Sequence, residues 1–424
     1  MKILVLGSGA REHAIIRRLL SDPVDHVITA APGNAGIARD VPVVDLDPTD
    51  PDAVVTQVER DRPDLVVIGP EAPLVAGVAD AVRAAGVPVF GPDQAAARIE
   101  GSKSFAKDVM AAAGVPTGRA VRAATLDEAA RALDAFGAPY VVKADGLAAG
   151  KGVIVTDDRR AALAHAERFI AQTVLVEEFL SGQEVSLFFL ADGERAVPLS
   201  PAQDYKRIGD GDTGANTGGM GAYSPLPWLS EGFVAEVRDR VAQPTVTELA
   251  RRGAPFRGLL YCGLIVTPAG VRVIEFNARF GDPETQVVLP RLEDDLSALL
   301  LAAAEGRLDT VPAPVFADRC AITVVVASEG YPAHAITGRE LTGLDEAEAL
   351  PGVSVIHAAT AREGDRLVAT GGRVVDVVAV ADDFETARAA AYAGIGCIRL
   401  EGSQHRSDIA DASRTRPNLL SAAR

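Results

Sequence analysis

Lys143 closes the apolar run of YVVKADGLAAGKGVIV, and Lys151 follows eight residues later, with Gly146, Gly150 and Gly152 loosening the chain around it. A lysine at a strand end and a second at a loop tip can hold a triphosphate and neutralise the charge that moves in phosphoryl transfer. The G-x-x-x-x-G-K-[ST] order of a Walker loop is absent, and a flexible hairpin carrying a solvated lysine is the plain alternative. Further on, VRVIEFNARFGDPETQ sets Glu275 and Asn277 two apart on a strand, where they face the same way and offer the hard oxygens that Mg²⁺ prefers. Arg279 falls on that face too. It could grip a carboxylate through two N–H groups or neutralise a transferred phosphoryl group; a purely structural Glu–Arg pair is the alternative.

Three further stretches carry chemistry. In VLVEEFLSGQEVSLFFL, Glu177 and Glu178 precede Phe179 and Leu180, and Glu184 opens the next strand. Backbone groups beside apolar residues can read an adenine edge while a carboxylate grips ribose hydroxyls; a solvated acidic edge is the alternative. AQDYKRIGDGDTGANTGGMGAYSP gathers Asp204, Lys206, Arg207, Asp212, Asn216 and several glycines in a long polar loop, which is either functional or a mobile linker. LVLGSGAREHAII puts Gly7 and Gly9 between a strand and a helix, where backbone N–H groups can approach a phosphate and Arg11 can add charge. Glu12 stands where a dinucleotide fingerprint wants glycine, and Ile28 to Ala31 bring no acid after the second strand, which speaks against a nicotinamide dehydrogenase. Histidines 13, 26, 165, 334, 357 and 405 and the three cysteines, Cys262, Cys320 and Cys397, show no metal spacing. No G-x-S-x-G elbow marks a nucleophile.

These residues need elements to place them. Lys2 to Leu6, Val27 to Ala31 and Leu65 to Ile68 alternate with helical stretches such as Glu12 to Leu20, the rhythm of a parallel sheet, and Pro88 to Gly91 leads out of it. A long helix carries the chain past Lys103. From Ala120 to Val197 the pattern of strand, helix, strand, Gly loop, helix and paired strands predicts a small α+β lid, and Ile208 to Gly221 reads as loop. Two prolines near Thr310 to Cys320 break the pattern before strand-like runs at Ala321 to Ala327 and Val374 to Val380. The expected units are 1–100, 101–312 with a lid at about 120–190, and 313–424. A chain of 424 residues is too long for one core.

Composition narrows the function. The chain is 48% hydrophobic in short runs, none long enough to span a membrane, which predicts a soluble protein. A net charge of −16 disfavours a nucleic-acid partner, so an anionic substrate would need local basic pockets. The start MKILVLGSG lacks the order of a secretory leader, and the scattered cysteines fit reducing cytoplasm.

GSGAREHAI, GPEAPLVAG, FGPDQAAARIEGSKSFAKD, KADGLAAGKGV, EEFLSGQEVS, QDYKRIGDGDTGANTGGMGAYSP and EFNARFGDPETQ follow one another in the chain. In that order they resemble the ATP-grasp superfamily and, within it, the phosphoribosylamine–glycine ligase family. The resemblance implies an α/β and α+β multidomain fold: an N-terminal Rossmann-like parallel-sheet domain, a two-part ATP-grasp core with a lid, and a C-terminal α+β domain. It implies ATP cleavage to ADP and phosphate, with glycine activated as glycyl phosphate and captured by the amine of 5-phosphoribosylamine, giving glycinamide ribonucleotide in de novo purine biosynthesis. By the same resemblance Lys103, Lys143, Gly146, Gly150, Lys151, Gly152, Glu177, Glu178, Phe179, Leu180 and Glu184 surround ATP. Glu275 and Asn277 hold Mg²⁺ or Mn²⁺, and Arg279 and Lys143 act on the reacting groups. Gly9, Arg11, Glu12, Asp204, Lys206, Asp212, Thr213, Gly214, Asn216, Gly219, Met220 and Pro283, with Arg279, are the expected substrate-binding positions. The expected partners are small molecules only, with the protein a monomer.

Two departures stand out. ERFIAQTVLVEEFL runs straight from helix to strand where the family often carries a Gly-rich loop, and Ala215 replaces a proline in GPNTGGMG. Another carboxylate–amine ligase, or a catalytically silent nucleotide sensor, would share much of this pattern.

Overall fold

The computed structural model describes residues 1–147 and 152–411. Strand Lys2–Gly7 runs parallel between Val27–Pro32 and Leu65–Ile68, with Val89–Phe90 at the far edge. Leu65–Ile68 is buried along its length, as a parallel strand covered on both faces must be. Helix Ala10–Leu20 covers one face by sinking Ile15, Ile16 and Leu19 against Ile3 and Val5. Its turn is closed from within, since the Gly9 N–H donates to the Glu12 carboxylate at 2.6 Å. The carboxyl ends of these strands open toward the rest of the molecule, the usual mouth of such a sheet.

A four-stranded antiparallel sheet forms the centre, in the order Ala196–Pro198, Gln183–Asp192, Arg257–Thr267 and Gly270–Asn277. Its last pairing shifts register between Gly263 and Leu264, so that Gly263 faces Glu275 and Leu264 faces Val273, leaving Ile274 out of the ladder. A bulge re-aims the side chains that follow it, and here those are Glu275 and Asn277. A second antiparallel sheet, Ala120–Ala123, Val174–Glu177, Tyr140–Ala144 and Val153–Thr156, carries helices Leu126–Phe136 and Arg159–Phe169 on a small core of its own. Helix Arg159–Phe169 passes through the single 3-10 turn Ile170–Gln172 directly into Val174–Glu177.

The C-terminal sheet is ordered Gln203–Asp204, Gly221–Ser224, Cys320–Ala327, Arg373–Ala381 and Val353–His357, with helix Phe384–Cys397 packed on it. Its first two strands come from the polar stretch around 203–224. Within that stretch, Ile208 to Gly221 is not the plain loop expected: Arg207–Gly209 and Thr213–Asn216 form a hairpin, and Gly221–Ser224 pairs with Cys320–Ala327. Local sequence could not show the second pairing, because the strand partner lies about a hundred residues further along the chain. Among the described residues no helix is long and apolar enough to cross a membrane.

The N-terminal helix meets this C-terminal sheet at a buried histidine pair. The His357 backbone N–H donates to His13 Nδ1 at 2.8 Å, and His13 Nε2 lies 2.9 Å from Asp40. His13 is therefore the neutral tautomer with its proton on Nε2. Burial lowers its pKa, although Asp40 opposes the shift. Burial also pushes His357 down to about 3, helped by His13, Arg39 and Arg17. Both rings fold neutral, whereas an unfolded histidine takes up a proton near pH 6.5. Below that value the unfolded state binds more protons than the native state, so stability falls as pH drops from about 6.5 toward 3. Urea unfolding at pH 7 and pH 5 should show a lower midpoint at pH 5, and His357→Gln should reduce that difference.

Candidate active site

Where the parallel sheet, the central sheet, the lid and the C-terminal sheet converge lies a cleft of about 470 Å³. Lys143, at the end of Tyr140–Ala144, is buried in its wall. Its ammonium lies 3.0 Å from the Glu177 carboxylate and donates to the carbonyl of bulged Ile274 at 3.1 Å. Burial alone would lower its pKa, but Glu177, Glu275 and Glu184 outweigh that and hold it above the ordinary lysine value. Lys103 opens helix Lys103–Ala113 and donates to the Gly146 carbonyl at 3.0 Å. The Asp145 carboxylate accepts from Ser104 N–H and Ser102 Oγ, both at 3.1 Å, which ties the glycine loop to that helix. Gly152 also lines the cleft; Gly150 and Lys151 fall outside the described residues.

Glu275 and Asn277 face the cleft from the strand after the bulge. Among the described residues neither side chain is spent on a hydrogen bond or ion pair. One carboxylate and one amide are too few for an all-protein cage, but Mg²⁺ is commonly held by one or two protein oxygens completed by phosphate and water. With Lys103 and Lys143 on the same wall, the donor set fits a divalent cation bound together with a phosphate chain. A separate grouping, Asp22, His26 and Asp295, has metal-like spacing. There Asp22 already accepts from the Leu296 and Ser297 N–H groups and from Arg18, so it serves as a helix cap and clamp.

Arg279 lines the cleft while paired, 3.0 Å from Glu100 and 3.4 Å from Glu71. Burial opposes its charge, and those carboxylates with Glu284 more than compensate. Arg11 lines the same end, donating to Glu12 at 2.6 Å and to the Phe280 carbonyl at 3.1 Å. Asp204 and Lys206 reach in from the strand Gln203–Asp204 and its extension. Lys206 joins Asp204 at 2.9 Å to Glu184 at 2.8 Å, so Glu184 meets the cleft through that lysine.

Other expected positions lie apart from the cleft lining. Glu178 pairs with Arg119 at the lid edge and Phe179 is exposed; Leu180 packs near Gly118. Glu12 is consumed in capping Gly9. Asp212, Thr213, Gly214 and Asn216 sit on the hairpin that projects outward, with Thr213 and Gly214 exposed. Met220 is buried in the core beneath it, and Gly219 has φ +111 with the Pro283 ring against it, a close approach that a side chain would block.

The structure adds residues that the sequence did not single out. Lys107 lines the cleft one helical turn from Lys103, 3.4 Å from Glu177 and donating to Thr117 Oγ1 and the Gly118 carbonyl. The i, i+4 spacing of the two lysines was its available signal. Glu284 accepts from Ser186 Oγ and Tyr261 OH, both at 2.9 Å. From the C-terminal domain come Tyr331, whose hydroxyl accepts from Gly218 N–H, and Arg373, which holds Asp282 at 2.9 Å and donates to the Gly218 carbonyl at 2.8 Å. Nothing local marks those two.

Family models match almost the whole chain: the phosphoribosylglycinamide synthetase N domain over residues 1–100, its ATP-grasp (A) domain over 101–285 and its C domain over 321–412. A phosphoribosylamine–glycine ligase of Leifsonia xyli is 65% identical over 97% of this chain and 99% of its own. That of Streptomyces coelicolor is 59% identical with the same coverage. The crystal structure of phosphoribosylamine–glycine ligase from Thermotoga maritima superposes with a TM-score of 0.82 at 30% identity, covering 96% of this chain and 100% of that one. The biotin carboxylase domain of Hydrogenobacter thermophilus 2-oxoglutarate carboxylase, solved with MgADP and bicarbonate, shares the fold at a TM-score of 0.72 and 17% identity over 95% of this chain and 91% of that one.

The Lys107–Glu177–Lys143 group generates a direct test. Glu177→Ala leaves buried Lys143 and half-buried Lys107 without their shared carboxylate and should destabilise the protein by on the order of 3–5 kcal/mol in urea unfolding. Adding Lys107→Met to that variant should recover part of the loss, because it removes one unpaired charge.

Proposed function

The chain belongs to the phosphoribosylglycinamide synthetase family, and from that premise we propose that it spends ATP to join glycine to the amine of 5-phosphoribosylamine. The products are glycinamide ribonucleotide, ADP and phosphate, and the step belongs to de novo purine biosynthesis. One observation carries the chemistry: Glu275 and Asn277 stand uncommitted on one wall of a cleft that also presents Lys103, Lys143 and Arg279.

ATP-grasp enzymes use ATP with a divalent metal, and we assign Mg²⁺ or Mn²⁺ to Glu275 and Asn277. When bound, the cation supplies charge neutralisation on the phosphate chain. Lys103 and Lys143 hold phosphate oxygens from the protein side, helped by the loop that includes Gly146 and Gly152. Lys143 stays charged for this because Glu177 and Glu275 face it. Backbone groups of Glu177 to Leu180 read the purine edge at the lid, since the side chains of Glu178, Phe179 and Leu180 lie outside the cleft lining, and Glu184, beside Lys206, is assigned to the ribose.

A carboxylate is a poor electrophile, so glycine is first activated. A glycine carboxylate oxygen attacks the γ-phosphorus and ADP leaves, giving glycyl phosphate. The amine of 5-phosphoribosylamine then attacks the acyl carbon; phosphate leaves with the bonding pair, and the amine proton passes to solvent or to the departing phosphate. Arg279 orients a reacting oxygen at the acceptor end. Gly9, Arg11, Asp204, Lys206 and Gly219 shape the site of the anionic sugar phosphate, with Arg373 and Tyr331 facing it from the third domain. The protein has little proton chemistry to perform, which suits a cleft whose lining contains no histidine among the described residues. We assign the working units to 1–100, 101–312 and 313–424, acting in the cytoplasm as a monomer on small molecules.

ADP release is expected to require both glycine and phosphoribosylamine, the amine being generated in situ, in the presence of Mg²⁺. Glu275→Ala should lower kcat/KM on the order of 10²–10³-fold through lost electrostatic stabilisation. ADP formed without glycine, or with a different carboxylate, would move the chain to another ligase of the same fold.

A further inference from the structure

The segment His405–Ala410 grips the polar hairpin from outside the cleft. Arg406, 1% exposed, makes a two-pronged pair with Asp408 at 2.7 Å on each prong. Its remaining nitrogen donates to Asp212 at 2.7 Å and to the Arg207 carbonyl at 3.2 Å, joining the first strand of the hairpin to its turn. Asp408 accepts from Gly211 N–H at 2.8 Å, and Ser407 N–H donates to Asp210 at 2.9 Å while its hydroxyl meets the same carboxylate. Asp212 itself has φ +56, a conformation this contact helps to hold. The gripping segment is fixed in turn on helix Phe384–Cys397, through Tyr392 OH to the Arg406 carbonyl at 2.9 Å and Arg388 Nε to the Ile409 carbonyl at 3.0 Å.

The grip reaches the cleft through alternation. Tyr205 continues the ladder of Gln203–Asp204, its N–H donating to the Gly221 carbonyl, so successive side chains leave on opposite faces. Asp204 and Lys206 line the cleft. Tyr205, between them, places its ring 4.8 Å from the Arg406 guanidinium and its hydroxyl 2.9 Å from Ala410 N–H. The base of the hairpin closes at Lys206, whose carbonyl accepts from Thr217 N–H at 2.8 Å and Thr217 Oγ1 at 2.9 Å; Thr217 and Gly218 line the cleft as well.

We infer that Arg406, with Ser407 and Asp408, is a set of positioning residues that fixes the backbone of Asp204 to Gly218 in its substrate-ready form before phosphoribosylamine arrives. This rests on the proposed reaction. The C-terminal segment removes from the binding step the cost of ordering a glycine-rich hairpin, so it sets affinity for the acceptor substrate without touching it.

The test uses the full chain. Arg406→Ala should raise the KM for phosphoribosylamine about tenfold while KM for ATP and kcat change less than about twofold, the signature of a lost pre-ordering contribution. Arg406→Lys should recover part of the rise. Tyr205→Phe, which removes only the hydroxyl bonded to Ala410, should raise the same KM about threefold and keeps the question answerable if Arg406→Ala does not fold. Hydrogen exchange of the unliganded protein should quicken in 205–217 and leave 320–327 and 373–381 unchanged. An unchanged KM, or a rise in all three KM values with faster exchange through the whole C-terminal sheet, overturns the inference by making the contact inert or merely structural. If the wild type shows no glycine- and phosphoribosylamine-dependent ADP release, the proposed reaction has failed. The exchange pattern in Arg406→Ala or Tyr205→Phe then still decides whether the grip orders the hairpin.

Discussion

A cation withdrawn from water keeps its charge only if a carboxylate or several carbonyls replace the lost hydration, and the cleft of this protein is organised around that constraint. Lys143 has Glu177 and the Ile274 carbonyl, Lys107 shares Glu177, and Arg279 has Glu100 and Glu71. Lys206 has Asp204 and Glu184, and Arg373 has Asp282. In a chain of net charge −16 the cleft lining is thereby formally neutral, its seven Lys and Arg side chains matched by seven Asp and Glu side chains. The acids that secure the cations come from different elements, so forming the cleft and docking the domains are the same event. Glu177 on the lid reaches Lys107 on the helix before the lid, and Asp282 on the central body reaches Arg373 on the C-terminal sheet.

The two ends of the cleft are held in different ways. The lid has its own apolar core, with Leu133, Val142, Ala162, Val174 and Val176 packed on one another. It can shift without emptying the core of another body, which suits the proposed nucleotide end of the cleft. The end proposed for the acceptor is woven: Gln203–Asp204 and Gly221–Ser224 are strands of the C-terminal sheet, and Arg406 joins the first strand of the hairpin between them to its turn. Backbone ladders and a buried guanidinium resist displacement far better than a single apolar contact does.

Much of this was legible in the sequence. The parallel sheet followed from short apolar runs separated by helical stretches, and Lys2–Gly7, Val27–Pro32 and Leu65–Ile68 appear where those runs stand. Lys143, Glu275, Asn277 and Arg279 could be picked out because each ends or follows an apolar strand with local spacing that aims it one way, and all four meet in the cleft. What could not be read depended on distant chain. Ile208 to Gly221 looked like loop because its composition is polar and glycine-rich, yet Cys320–Ala327 supplies a strand partner for Gly221–Ser224 and Arg406 supplies a clamp for the hairpin. Tyr331 and Arg373 carry no local signal, since their place in the cleft exists only once the third domain is docked. Asp212, Thr213, Gly214 and Asn216 share a motif with Asp204 and Lys206, but a hairpin turns them away from the residues beside them.

Under the proposed reaction, that last contrast lets a glycine-rich motif serve an anionic substrate without lining its pocket. Glycine weakens an extended segment by leaving it many alternatives when unbound. A loop with the composition of GDGDTGANTGG, left to itself, would spend substrate binding energy on its own ordering. Here Asp210, Gly211 and Asp212 at the hairpin tip are each tied to Arg406, Ser407 or Asp408, all three within one short segment. The tip residues therefore act on the cleft through the backbone that joins them to Lys206 and Thr217. Their chemistry is directed at the C-terminal segment, and the geometry it secures is expressed at the other end of the hairpin.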